Sequence, residues 1–177
     1  MRQPQFRFLY RMQCQVAKEE FDVGAPHKTG WIRSIVNILS GQIRGPNIEA
    51  EILPGGADWA QVVEGTHSMK LDARYVAKTN DGHYLYIESA GLYRPGPGTA
   101  YAQSDQTQAP PRTVTQDDVE FFTRVRIEAG QGPYNWLNGL VSFGVLVCEG
   151  ETIVLDAYHL TNFADKSPED VVAKASR

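Results

Sequence analysis

From Phe6 to Val16 the even positions are Phe6, Phe8, Tyr10, Met12, Cys14 and Val16, while the odd positions between them are mostly Arg and Gln. A period of two is the signature of a strand with one buried face, because successive side chains on an extended backbone point to opposite sides. The same rhythm returns at about 31–40, 47–53, 58–64, 67–79, 83–90, 118–129, 139–148 and 151–162. Turn residues separate many of these runs: Gly45-Pro46, Pro54-Gly55-Gly56, Asn80-Asp81-Gly82 and Glu149-Gly150. Asn-Asp-Gly between two alternating runs marks a hairpin. Helical periodicity is weak, and one short C-terminal helix is expected where Ser167 can cap and Pro168 suits the first position.

Many short strands joined by turns point to an all-β fold, either a sandwich or a closed antiparallel barrel. The barrel is the preferred reading: about eight strands, lipocalin-like or up-and-down, able to be filled by side chains or to hold one small ligand. The 177 residues suit a single domain spanning 1–177. Two segments interrupt the rhythm. Residues 17–30 read as a connector with Gly24, Pro26 and Gly30, and residues 94–117 as a long Pro-, Gly- and Gln-rich loop, either a lid or a mobile segment.

The net charge of −4 and the absence of a Lys/Arg run argue against a nucleic-acid surface. No apolar stretch approaches the roughly 20 residues of a membrane helix, and no apolar run follows the first Met. Cys14 and Cys148 lie far apart and read as free thiols. The expectation is a cytoplasmic protein that engages neither membrane nor nucleic acid. The four histidines, His27, His67, His83 and His159, show no paired spacing, and there is no Cys-x-x-Cys, so no metal site is expected. Phosphate-loop, dinucleotide and nucleophile-elbow motifs are also missing, and no cofactor is expected.

Two constellations are candidates for chemistry. If the 80–82 hairpin forms, Asp72, Arg74, Tyr84, Tyr86 and Glu88 share one face of two adjacent strands. On the outside of a barrel such a face is an ordinary solvated surface. Inside, the charges would need pairing, and an Asp–Arg pair would hold an anionic or enolic ligand. In the stretch YNWLN, Tyr134, Trp136 and Asn138 alternate if the chain is extended, giving an aromatic wall with an amide, or else a core tryptophan with a satisfied amide.

The blocks SGQIRGPNIEAEILPGGADW (40–59), LDARYVAKTNDG (71–82), YIESAG (86–91) and RIEAGQGPYNWLN (126–138) together resemble the domain-of-unknown-function family DUF3237 over about residues 33–160. The matching positions are Gly45, Pro46, Gly55, Gly56, Asp58, Trp59, Asp72, Arg74, Tyr75, Tyr86, Glu128, Tyr134, Trp136 and Asn138. The pattern departs at Ile127 and Ala129 beside Glu128, and in the length of loop 94–117. The resemblance implies a single antiparallel β-barrel. Because some fungal members belong to aromatic polyketide pathways, it also implies a cofactor-independent cyclase or isomerase of a phenolic small molecule.

On that reading Arg74, Asp72, Glu88 and Tyr86 are the catalytic candidates. Trp59, Tyr84, Tyr134, Trp136 and Asn138 would line the substrate. Asp58 and Trp59 must face opposite sides of their strand. Trp59 is placed in the wall, and Asp58 at the rim as a hydrogen-bonding anchor, with catalytic acid as its alternative role. The competing readings are a non-catalytic binding protein and a filled barrel used as an interaction scaffold that forms a homodimer.

Overall fold

Among residues 1–175, which the computed structural model describes, ten strands form one antiparallel sheet. In chain order they are β1 (Gln5–Gly24), β2 (Trp31–Gly45), β3 (Ile48–Ile52), β4 (Gly56–Val63), β5 (Met69–Thr79), β6 (Tyr84–Pro95), β7 (Thr113–Val114), β8 (Val119–Ala129), β9 (Ser142–Glu149) and β10 (Thr152–Thr161). The pairing runs β1–β10–β9–β8–β6–β5, then through β3 and β4 to β2, and β2 returns to β1. The sheet thus closes on itself as a barrel, which leaves its ladders few free edges.

The ring has about the expected number of places, because β3 and β4 share one. β2 gives residues 41–45 to β3 and 31–38 to β4. β5 gives 77–79 to β3, and pairs with β4 lower down, at 69–74. The step between them is the Pro54-Gly55 turn, where Gly55 takes φ 107°, a conformation that favours glycine.

Two connections differ from the sequence reading. The connector expected at 17–30 is mostly strand: β1 continues to Gly24, paired with β2 across a register shift between Val16 and Glu20. Its side chains there are largely exposed, so backbone pairing and not burial holds it, and no alternation announces it. Within 94–117, Thr99 caps a single helical turn, α1 (Ala100–Gln103), and β7 pairs with β9 at Thr113↔Glu149 and Val114↔Cys148. β8 covers β9 only at 142–145, so β7 takes the place β8 leaves open. The expected C-terminal helix is present as α2 (Pro168–Ala175), with the Ser167 hydroxyl accepting the Asp170 amide at 3.2 Å. No described helix is long and apolar enough to cross a membrane.

The inward parity is constant around the ring: Tyr10, Met12 and Cys14 on β1, Leu71 and Tyr75 on β5, Leu85 and Ile87 on β6, Val125 and Ile127 on β8. One end of the barrel is solid. Tyr10, Ile43, Ile52, Leu85 and Ile87 are all but completely buried there, and a 3-10 turn at Asn135–Gly139 adds Trp136 and Leu137 as a plug.

Close strand approach explains Gly91. A Cβ at this position would lie 1.9 Å from the Phe122 carbonyl oxygen and 2.6 Å from the Thr123 Cα. The obstacle is backbone, so neither partner can rotate away. Gly91→Ala is expected to lower the unfolding free energy by about 1–3 kcal/mol, read as a reduced urea midpoint at unchanged slope.

Candidate functional site in the barrel lumen

The other end of the barrel is hollow. A cavity of about 240 Å³ lies between Met12, Cys14 and Val16 of β1, the inner faces of β4, β5, β6, β8 and β9, and the loop before β8. For scale, an apolar cavity of ~150 Å³ accepts a benzene ring. The wall is almost wholly apolar. Tyr75, Tyr93 and Phe121 bring rings to it, and Met12, Cys14, Met69 and Cys148 bring sulfur. Apart from Met1, every methionine and cysteine of the chain faces this space. Burial pushes the Cys14 thiol up to about 12 and raises Cys148 as well, so both are inert thiols at neutral pH.

Pro110, Pro111 and Val114 also line the cavity, so loop 94–117 contributes to its wall. The loop is fastened at several points. The His67 Nε2 lies 2.7 Å from the Gln108 carbonyl oxygen, and the His67 amide donates to Gln106 at 3.2 Å. The imidazole stacks on Tyr101 at 5.1 Å, and the Tyr93 hydroxyl, beside the cavity, donates to the Tyr101 hydroxyl at 3.1 Å. Arg112 pairs with Glu151, and the Gly150 amide donates to the Arg112 carbonyl at 2.9 Å.

One ionisable carboxyl lines the cavity among the described residues: Asp58, on β4. Its Oδ1 accepts the Asp72 backbone amide at 2.8 Å. Burial raises the carboxyl from 3.8 to about 6; the Asp72 amide opposes the shift, the Asp72 charge reinforces it and Arg33 weakly opposes it. Apolar surroundings penalise the anion more than the single amide bond rewards it. The carboxyl is therefore balanced between its two protonation states near neutral pH.

The residues expected to be catalytic lie elsewhere. The hairpin forms as read, with Arg74↔Glu88, Val76↔Tyr86 and Lys78↔Tyr84 in register and Gly82 at φ 93°. Its polar face is the barrel's exterior, which corrects the lumen placement of Asp72, Arg74, Tyr84, Tyr86 and Glu88. Arg74 meets Asp72 in a two-pronged contact at 3.1 and 3.2 Å. Arg126 donates to Glu88 at 2.9 Å and also meets Glu128, and the Tyr86 hydroxyl donates to Glu88 at 2.9 Å. This solvated ladder needs no ligand to satisfy it. Tyr84 is 60% exposed.

Trp59 is also external, beside Arg74 and Tyr86 in a shallow depression, and β4 instead turns Asp58 inward. The placement of Trp59 toward the ligand is thus corrected. The anchoring expected of Asp58 is present, together with the lumen position that belonged to its alternative role.

The YNWLN stretch is a 3-10 turn, not an extended segment, so its side chains do not alternate across a wall. Trp136 plugs the solid end. Asn138 spends its amide on the chain: Oδ1 accepts the Ala129 amide at 3.1 Å, and Nδ2 donates to the Ala129 and Asn135 carbonyls at 2.9 and 2.8 Å. The Tyr134 hydroxyl donates to Asp81 at 3.1 Å and its ring meets His83 edge-on. These three residues secure the closed end and do not reach the cavity.

Sequence reasoning missed Ser89 and Thr123, which sit in the cavity wall with a 2.8 Å hydrogen bond between their hydroxyls. The signal was available. Leu71, Ala73 and Tyr75 share a parity with Leu85, Ile87 and Ser89, and that apolar parity is the inward one.

The fold and cavity together define a small closed antiparallel β-barrel whose hollow end carries one carboxyl in an apolar wall. The chain belongs to DUF3237, a family of proteins of unknown function, whose model matches residues 4–160. A UPF0311 protein of Rhodopseudomonas palustris strain TIE-1 is 32% identical over 129 residues, covering 73% of this chain and 80% of the relative. The crystal structure of a β-barrel-like protein from Acinetobacter baumannii AYE superposes with a TM-score of 0.75 at 24% identity, covering 91% of this chain and 98% of that one. An enzyme from Penicillium herquei shares the fold at a TM-score of 0.61 and 17% identity, covering 89% of this chain and 95% of that one.

The raised Asp58 carboxyl sets a pH dependence with a definite sign. The folded state prefers the protonated form, so its contribution to stability is full below pH 3.8 and is lost as pH rises through about 6. Asp58→Asn keeps an oxygen for the Asp72 amide and removes the ionisation. The variant is expected to be more stable than the parent at pH 8 by on the order of 2–3 kcal/mol, and close to it at pH 4, in paired thermal melts.

Proposed function

We propose that this protein binds a compact, ring-containing small molecule in the barrel lumen and transfers protons on it, as a cofactor-independent isomerase or cyclase with Asp58 as the acid–base group. The observation that carries this reading is the lone lumen carboxyl, held near pH 6 by burial in an apolar wall. A group with its pKa close to neutrality is available in both protonation states, which is what general acid–base catalysis requires.

The wall supports an aromatic ligand. Thioether and thiol sulfurs are polarisable and favour ring edges, and the tyrosine and phenylalanine rings add stacking surface. The volume suits one or two fused rings. As a base, the Asp58 carboxylate takes a proton from carbon next to a carbonyl. As an acid, the protonated carboxyl delivers a proton to the enolate carbon or oxygen. The apolar wall, to which Pro110, Pro111 and Val114 contribute, limits the water that competes for that proton. The occurrence of an enzyme on the same fold supports catalysis in this architecture without naming the reaction.

The test uses 2-tetralone, a bicyclic ketone, in heavy water. Binding is read as a thermal shift, since a ligand at 100 times its Kd adds about 2.7 kcal/mol. Turnover is read by mass spectrometry as deuterium uptake beside the carbonyl. The wild type is expected to bind and to accelerate exchange, with a rate that rises through pH 6 as the base form fills. Asp58→Asn should bind without accelerating, and Arg74→Ala on the exterior should match the wild type in both assays. Binding with no acceleration would leave a carrier in place of an enzyme. The absence of any thermal shift would remove the ligand-binding reading itself.

A further inference from the structure

The second polar feature of the lumen is the Ser89–Thr123 hydroxyl pair. Both residues are 3% exposed, and their oxygens are 2.8 Å apart. Two hydroxyls joined by one mutual hydrogen bond always leave one hydrogen over, whichever of them donates. Among the described residues that hydrogen has no acceptor. A buried donor without a partner is costly, and the open side of this one is the cavity.

Its position relative to Asp58 follows from the register. Asp58 pairs with Ala73 on β5, and Ala73 pairs with Ser89 on β6. The three residues lie in one row across adjacent strands, all facing inward. Neighbouring strands are about 4.8 Å apart, so Asp58 and Ser89 stand about 10 Å apart at the backbone. Between them Ala73 contributes only a methyl group. The row is thus a low floor with a polar post at each end, and the concave curvature of the barrel tips the posts toward a common point.

From this row we infer that the lumen reads two oxygen atoms on one edge of its ring ligand: one at Asp58 and a second at the Ser89–Thr123 hydroxyls. The second contact accepts the spare hydroxyl hydrogen and fixes which edge of the ring is presented to Asp58. Ser89 and Thr123 are accordingly positioning residues, and the ligand class is a fused aromatic carrying two oxygens in a 1,3 relation. This assignment rests on the lumen-binding reading above.

The experiment compares 1,3-dihydroxynaphthalene with 2-naphthol by calorimetric titration at pH 5, where Asp58 is mostly protonated. The proteins are the wild type, Ser89→Ala, and the double variant Ser89→Ala with Thr123→Val. Replacing both partners of a buried hydrogen bond by apolar groups of similar shape leaves no orphan, so the double variant is expected to fold; Ser89→Ala with Thr123→Ala serves if it does not. The wild type should prefer the diol roughly tenfold, the worth of one neutral hydrogen bond. The double variant should lose that preference while 2-naphthol binds as before. Ser89→Ala alone leaves the Thr123 hydroxyl hydrogen in place and should keep the preference.

An unchanged preference in the double variant, or no preference in the wild type while both probes bind, would overturn the role of the hydroxyl pair and leave the binding lumen standing. Failure of both probes to bind the wild type would overturn both readings together.

Discussion

The pleat of a closed sheet governs everything in this molecule. Once β1 pairs with β2 and the ring is complete, each side chain has only two destinations, and a one-residue slip would exchange them along a whole strand. The register Asp58↔Ala73↔Ser89 therefore does more than join three strands. It commits a carboxyl to the interior and, by the same stroke, sends Trp59, Asp72, Arg74 and Glu88 to the exterior, where Arg74 pairs with Asp72 and Arg126 with Glu88. The outer pairs of Arg74 with Asp72 and of Arg126 with Glu88 and Glu128 are solvated. The inner face holds few polar groups among the described residues, and one of them, the Tyr10 hydroxyl in the solid end, makes no hydrogen bond.

The barrel is divided along its axis. The closed end is packed with Tyr10, Ile43, Ile52, Leu85 and Ile87 and stoppered by Trp136 and Leu137, which supplies the hydrophobic burial that stabilises the fold. The hollow end gives up part of that burial and adds a carboxyl where its ionised form is disfavoured. Natural proteins tolerate such local instability at functional sites when the remainder of the structure compensates. Here the compensation is visible: the strands that carry Ser89 and Thr123 run without interruption into the packed half, and β4 with Asp58 is joined to it through the Pro54-Gly55 turn and β3.

The strand pattern was legible in the sequence because alternation and turn chemistry are local. The Asn80-Asp81-Gly82 hairpin, the Gly55 turn and the Ser167–Pro168 helix start all follow from residues within a few positions of one another. The site was harder to read for a symmetrical reason. A lumen wall and a barrel exterior share the same period of two, and only the chemistry of each parity tells them apart. Arg74, Glu88 and Tyr86 are conspicuous because they are charged or polar, whereas the inward row of Leu71, Ala73, Ser89 and Thr123 is quiet.

Trp136 was misplaced because a 3-10 turn, entered after Gly132-Pro133, breaks the alternation that an extended reading assumes. The tail of β1 escaped notice because backbone pairing to β2 holds it without burying a face.

The fastening of loop 94–117 bears on time as well as on affinity. On the proposed binding reading, a guest bounded by Pro110, Pro111 and Val114 shares its wall with a strap that His67 and β9 hold in place, and the strap's release bears on its departure. On that reading grip belongs to the lumen and dwell to the strap, and the two are encoded in different stretches of sequence. Lengthening or retuning the strap would change how long a guest stays while leaving untouched the surface that chooses it.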